Sequence, residues 1–384
     1  MITRIKGGRV IADRKIFDAD VYYADGVILS VTDAELPADE VIDASGLYVS
    51  PGFIDMHTHG AVGHDFSSST ADEILEAVRF HMKHGTTTIL PTFASCTMEE
   101  MTKGLIEVGK AMEKGGAPNI LGTHLEGPYF SLQQAGAQDP TRITEPKEAD
   151  YTELIRRFRK YIYRWSYAPE RDTDQKFTKY LVAHGILPAV GHSDAIYAEL
   201  KPAYEAGCKL VTHLYSGTST ITRDHGFRRL GVNECAYLWD DMDVEIIADG
   251  CHLPPELIQM IVKCKGVERI SLVTDSLKVA GTDAKESGVG STKCIIEDGV
   301  AKLPDRSAFA GSVATTNRLV RNMIQLADVP LTQAVRMASS TPARVMGMKD
   351  RGRIAVDYRA DILFFDANID IAEVYLAGER KFRK

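Results

Sequence analysis

Short apolar, β-branched runs recur through the middle of the chain, and each closes on a histidine or an acid. They are Gly52-Phe53-Ile54-Asp55-Met56-His57-Thr58-His59, Ile120-Leu121-Gly122-Thr123-His124-Leu125-Glu126, Leu187-Pro188-Ala189-Val190-Gly191-His192, Leu210-Val211-Thr212-His213 and Ser271-Leu272-Val273-Thr274-Asp275. Continuous apolar runs of this length read as strands buried on both faces. Helical patterns lie between them, over 71–84, 175–184 and 200–206, and each is followed by a glycine: Gly85, Gly185 and Gly207. Glycine after a helix relieves the left-handed cap. Strands are predicted at 53–57, 86–91, 119–125, 162–168, 186–191, 208–212, 244–248 and 270–274. Eight strands alternating with helices predict a (β/α)8 barrel whose site lies at the C-terminal rim. An open doubly wound sheet would need a glycine-rich phosphate loop after its first strand, where this chain has His57-Thr58-His59.

The two ends follow another pattern. Asp20-Val21-Tyr22-Tyr23 and Val27-Ile28-Leu29-Ser30 flank Asp25-Gly26, a hairpin signal. Asp361-Ile362-Leu363-Phe364-Phe365 and Glu373-Val374-Tyr375-Leu376 answer it near the C-terminus. Residues 1–52 and 347–384 are therefore expected to pair into one small β-sandwich, with the barrel, 53–346, inserted between them. The polar, glycine-rich segment 276–308 is expected to form a loop or hairpin over the rim.

Composition narrows the function classes. A chain of 384 residues accommodates a barrel and a minor domain. A net charge of −8 argues against nucleic acid or an anionic membrane as partner, although a local pocket can still be basic and take an anionic small molecule. The six cysteines are scattered without a C-x-x-C pair, which predicts reduced thiols in a cytoplasmic protein and no thiolate metal cluster. No run approaches the roughly 20 apolar residues needed to cross a bilayer. No secretory signal is expected, because Arg4, Lys6 and Arg9 precede no long apolar run.

The strand exits supply the candidate chemistry. His57 and His59 are i and i+2 on a strand, so both imidazoles can reach one metal. Glu126 has two oxygens and can bind one cation or bridge two. His192 and His213 leave neighbouring strands beside it. Asp275 is a candidate ligand, general base or both, because metal-assisted hydrolysis needs a water of lowered pKa and a group that moves its proton. His252, beyond the seventh strand, is expected to contact substrate. His124 is assigned to the barrel interior, and His184 to a helix C-terminus, where a cation suits the dipole. Cys251 has no activating base specified by sequence. A nitrogen and oxygen donor set suits zinc, iron, manganese or cobalt.

Together these residues resemble the amidohydrolase superfamily and, more narrowly, the N-acetylglucosamine-6-phosphate deacetylases. The resemblance rests on Pro51-Gly52-Phe53-Ile54-Asp55, His124-Leu125-Glu126-Gly127-Pro128, Ala168-Pro169-Glu170, Gly191-His192-Ser193, Thr212-His213-Leu214-Tyr215, Ala248-Asp249-Gly250-Cys251-His252, Leu272-Val273-Thr274-Asp275 and Ala310-Gly311-Ser312. It implies a cytoplasmic homodimer acting on a small amino-sugar substrate, with a metal held by Glu126, His192 and His213. Because His57 and His59 are present, it also implies a second ion bridged by Glu126, with zinc placed ahead of iron, manganese or cobalt. Metal-bound hydroxide would attack the acetamide carbon, Asp275 would pass the proton to the departing amine, and His252 would help hold the substrate.

The chain departs from the family pattern at three places. Ser216-Gly217 follow Thr-His-Leu-Tyr where the family has Asn and Ala. Gln138, in Gly136-Ala137-Gln138-Asp139-Pro140, replaces a histidine that contacts substrate near the scissile amide. The phosphate-binding arginine has Arg223 as its nearest counterpart, from the same or a neighbouring subunit. Two other readings stay open on the residues alone: an amidohydrolase for a different N-acyl sugar or N-acyl amino acid, and a non-catalytic barrel kept as a binding module.

Overall fold

The computed structural model describes residues 1–12, 14–115 and 119–384. Parallel strands form the barrel: β1 (Phe53–Thr58), β2 (Thr86–Phe93), β3 (Thr123–Glu126), β4 (Ile162–Tyr167), β5 (Leu187–Val190), β6 (Leu210–Val211), β7 (Asp243–Ile246) and β8 (Ile270–Leu272). Each pairs with the next in chain order, from β1 with β2 to β7 with β8. The seam between β8 and β1 is closed by other bonds. Asp275 N–H donates to the His57 carbonyl at 2.9 Å, and Thr274 Oγ1 donates to Asp55 Oδ2 at 2.6 Å. Burial pushes the Asp55 carboxyl up to about 7, against the opposing hydrogen bonds from Thr274. Phe53, Phe93, Leu125, Trp165, Val211, Val244 and Leu272 belong to the apolar core between the strands and the outer helices.

The predicted helices are present as Ala71–Lys83, Lys176–Ala183 and Tyr197–Glu205. Gly85, Gly185 and Gly207 follow them with φ of +97°, +66° and +111°, the left-handed backbone that glycine adopts without strain.

The ends form two sheets around a shared core. One has the order Val27–Thr32, Asp20–Ala24, Thr3–Lys6, Glu40–Asp43. The other runs Glu379–Arg383, Ile371–Leu376, Ile362–Phe365, Tyr48–Pro51, Arg9–Ala12, Lys15–Asp18, so the C-terminal strands join only this sheet. Ile5, Val10, Val21, Val49, Ile362, Phe364 and Tyr375 pack between them. Asp25 and Gly26 turn the predicted hairpin with φ of +50° and +79°, as a type I′ turn requires.

One expectation changes and another is extended. The third predicted strand is interrupted: Asn119–Ile120 and Thr123–Glu126 are separate, because Gly122 breaks the run at φ +147°. Segment 276–308, expected as a loop or hairpin, does form a hairpin and extends it into a sheet. Glu286–Val289, Thr292–Glu297, Val300–Lys302 and Phe309–Ser312 form a four-stranded antiparallel sheet. It stands on its own small core of Leu277, Val279, Val289, Cys294, Ala301 and Ala310. Its strands are short and carry few apolar residues each, so their alternation is faint in the sequence. Among the described residues no helix is long and apolar enough to cross a membrane.

Candidate active site

The strand exits converge. His57 lies within β1 and Glu126 ends β3, while His59, His192, His213 and Asp275 follow β1, β5, β6 and β8. His192, His213 and Asp275 have φ of +44°, +30° and +48°. A non-glycine residue in this region stores about 1–3 kcal/mol, and here the turn at each strand end aims a side chain at the barrel axis.

One oxygen of Glu126 gathers three imidazoles. Oε1 lies 3.0 Å from His213 Nε2, 3.3 Å from His192 Nε2 and 3.5 Å from His57 Nε2. Asp275 Oδ1 is 3.0 Å from His59 Nε2 and 3.4 Å from His57 Nε2. The two nitrogens of the His57-Thr58-His59 pair are 3.4 Å apart. His57, His59 and Asp275 form one group of donor atoms within 4.8 Å of one another, and His57, Glu126 and His213 form a second. His192 stands outside the second group but on the same carboxylate oxygen. No cysteine belongs to either group.

The electrostatics suit a cation. Burial pushes the Glu126 carboxyl up, but His57 and the hydrogen bonds of His192, His213 and His59 hold it well below the usual range. Burial likewise opposes ionisation of Asp275, and His57 and His59 outweigh it, bringing the carboxyl to about 2. The His59 imidazole is depressed by burial, yet Asp275 and Glu126 raise it well above its ordinary value. Two carboxylates thus demand positive charge in a dry pocket. His192 Nδ1–H donates to the Gln134 carbonyl at 2.8 Å, which turns Nε2 toward Glu126 Oε1 at 3.3 Å. Imidazole nitrogens and carboxylate oxygens that converge in this way are the donor types a divalent cation takes.

A cavity of about 250 Å³ opens above these groups. Gln138, Ser216, Gly217 and His252 line it, together with Phe309 and Val289 from the rim sheet. Gln138 Nε2 donates to Glu126 Oε2 at 2.8 Å, and its Oε1 accepts from Ser95 N–H at 2.8 Å. His252 Nδ1 bonds Asp249 Oδ2 at 2.9 Å, which leaves Nε2 for a ligand. Arg223 is not in this cavity; it sits on an exposed hairpin, Thr222–Asp224 with Phe227–Arg229. His124 is fully buried, bonded to Thr92 Oγ1 and Ser166 Oγ, and burial and Arg164 hold its imidazole well below the usual value. His184 caps its helix, as expected.

Residues 48–382 match the amidohydrolase family. The chain belongs to this family. A Vibrio furnissii N-acetylglucosamine-6-phosphate deacetylase is 31% identical over 86% of this chain and 82% of its own length. An N-acetylgalactosamine-6-phosphate deacetylase from Shewanella is also 31% identical, over 93% and 90%. The structure of an N-acetyl-D-glucosamine-6-phosphate deacetylase mutant from Mycobacterium smegmatis, in complex with N-acetyl-D-glucosamine-6-phosphate, superposes with a TM-score of 0.90 at 28% identity, covering 99% of both chains. This amidohydrolase is a hydrolase of carbon–nitrogen amide bonds, and its family implies a divalent metal.

Sequence reasoning missed a buried acid and its partner. Glu245 and Arg164 are both fully buried and bonded to each other beneath the imidazoles. The signal was present: each is a charged residue inside an apolar strand run, Val244-Glu245-Ile246 and Tyr163-Arg164-Trp165.

Proposed function

We propose that this amidohydrolase removes the acetyl group from an N-acetylated amino-sugar 6-phosphate, with N-acetylglucosamine 6-phosphate giving glucosamine 6-phosphate and acetate. The observation that carries this reading is the convergence of four imidazoles and two carboxylates at the floor of a cavity, in a chain alignable nearly end to end with deacetylases.

Glu126, His192 and His213 would hold one ion, and His57, His59 and Asp275 a second; the nitrogen and oxygen donors suit zinc, iron, manganese or cobalt, and the family resemblance puts zinc first. A bound divalent cation there supplies Lewis acidity and lowers the pKa of a water. Asp275 Oδ1 takes the proton of the attacking water and delivers it to the departing amine nitrogen. Gln138 keeps Glu126 in its orientation and lines the wall beside the acyl group. His252 Nε2 donates to or accepts from the sugar, with its ring set by Asp249. Ser216 and Gly217 shape the floor. The chain acts as a homodimer in the cytoplasm, and Arg223, which does not line its own cavity, reaches the phosphate bound by the partner.

The test is acetate release by the metal-loaded protein from N-acetylglucosamine 6-phosphate, N-acetylgalactosamine 6-phosphate and unphosphorylated N-acetylglucosamine. Turnover of a phosphorylated sugar with strong discrimination against the unphosphorylated one is the expected result. Turnover of none of them, with metal bound, sinks the reading and directs the search to other N-acyl compounds. The galactose epimer is the second reading, because a relative named for it is as similar as one named for the glucose epimer.

A further inference from the structure

Beneath the imidazoles lies a charge pair that no step above uses. Arg164 on β4 and Glu245 on β7 are fully buried, and Arg164 Nη1 donates to Glu245 Oε1. Arg164 is further tied to β6 and β1: Nη2 donates to Thr212 Oγ1 at 3.0 Å, and Nη1 lies 3.4 Å from the Met56 carbonyl. Replacing such a pair with apolar residues of similar volume is often neutral or stabilising, because desolvation offsets the attraction. Stability alone therefore does not account for it.

The second oxygen does. Glu245 Oε2 accepts from the His213 backbone N–H at 3.3 Å and faces His57 Nδ1 at 3.5 Å. Among the described residues His57 Nδ1 is buried without a formed hydrogen bond, and the Glu245 carboxylate is the acceptor that faces it. His57 Nε2 is the atom turned to Glu126 and Asp275, and with an ion held there the ring hydrogen belongs on Nδ1. An imidazole that binds a metal through one nitrogen characteristically donates the other N–H to a carboxylate, which fixes tautomer and orientation. His213 meanwhile holds a left-handed backbone at φ +30°, and the same carboxylate oxygen anchors its peptide.

We propose that the Arg164–Glu245 pair is a positioning device for the cation site: Glu245 holds His57 as the Nδ1–H tautomer and pins the His213 peptide, and Arg164 holds Glu245 in place. The inference rests on the reading of His57 as a metal ligand. Glu245 acts through His57 and touches no substrate, so it is a positioning residue. Its charge is matched by Arg164, so the two can be removed together without leaving a buried ion unpaired.

The experiment measures ions bound per chain, and zinc affinity by chelator competition, for the full-length chain, His57→Asn and the double variant Arg164→Met/Glu245→Met. The expected result is a double variant that melts near the parent temperature but binds the His57-held ion about 10–100-fold more weakly. Parent-like affinity for every ion in the double variant, while His57→Asn loses one, overturns the inference and leaves the metal reading standing. If His57→Asn binds as many ions as tightly as the parent, the ligand assignment itself is wrong. Should the double variant not fold, ¹⁵N-histidine spectra of the zinc-loaded parent decide, with His57 assigned by its loss in His57→Asn. A protected Nδ1–H on His57 supports the proposal, and an Nε2–H tautomer overturns it.

Discussion

At the scale of single residues, the site depends on small spaces as much as on ligands. Gly217 has φ +60°, and a Cβ built there would lie 2.7 Å from His192 Nδ1 and 3.0 Å from the Gln134 carbonyl. That carbonyl is the acceptor that orients His192. Gly217→Ala should therefore push His192 off Glu126, lowering zinc affinity by about tenfold with little change in melting temperature; chelator competition and calorimetry on the same sample check it. Asp275 stands on a different footing, since it is assigned both to a cation and to the proton. Asp275→Asn keeps an oxygen donor and loses the base, so turnover should fall by about 10²–10⁴-fold while metal analysis still finds an ion bound. Near-normal acetate release from that variant would remove Asp275 from the proton path. The sequence made these candidate ligands visible because each stands at the end of an apolar run. Glu245 escaped because an acid within a strand shows its meaning only when its neighbours across the sheet are known.

At the scale of elements, the strands deliver side chains and the excursions between them shape the cavity. The sheet at Glu286–Ser312 brings Val289 and Phe309 over the site, at the rim where a loop or hairpin was expected. The hairpin Thr222–Asp224/Phe227–Arg229 does not line the chain's own cavity, and Phe227 is 78% exposed. A large apolar residue beside Arg223 and Arg228 on an exposed hairpin suits contact with a second copy. Arg223→Ala should raise KM for the phosphorylated sugar and leave the unphosphorylated one unchanged. Mixing Arg223→Ala with Asp275→Asn protein should restore roughly a quarter of parental activity if random exchange pairs a sound Asp275 with its partner's sound Arg223 in a two-fold dimer. Failure to complement would place Arg223 outside the partner's site.

At the scale of the whole molecule, the outer helices are tied to the barrel rim by buried polar groups as well as by apolar packing. His81, on the helix Ala71–Lys83, is fully buried, with Nε2 3.0 Å from the Gly60 carbonyl and 3.3 Å from Thr58 Oγ1. Burial lowers its imidazole from 6.5 to about 4. The unfolded chain then takes up a proton that the folded chain refuses, so this contribution is complete above pH 6.5 and is lost as pH falls toward 4. The loss amounts to about 3 kcal/mol. Denaturant melts of the parent and of His81→Gln between those pH values should show the variant with the shallower dependence; parallel curves would rule His81 out as the source.

Much of this architecture is local in origin and therefore legible along the chain. The period of apolar residues, the glycine after each helix and the Asp25-Gly26 turn depend on near neighbours, and they led to the barrel, its helices and the terminal strands. The same locality set which candidate ligands leave which strands, from His57 to Asp275, and hence the expectation of a hydrolytic metal site. Pairings between distant residues were not legible. Asp55 closes the barrel on Thr274, 219 positions away, and Glu245 lies under His57 across the interior. By itself, then, the sequence determined the order of the elements and the chemistry at their ends, because propensity and side-chain type act over a few residues. The tertiary structure alone decided which acid meets which imidazole, since strand register and barrel closure arise only when the whole chain is packed.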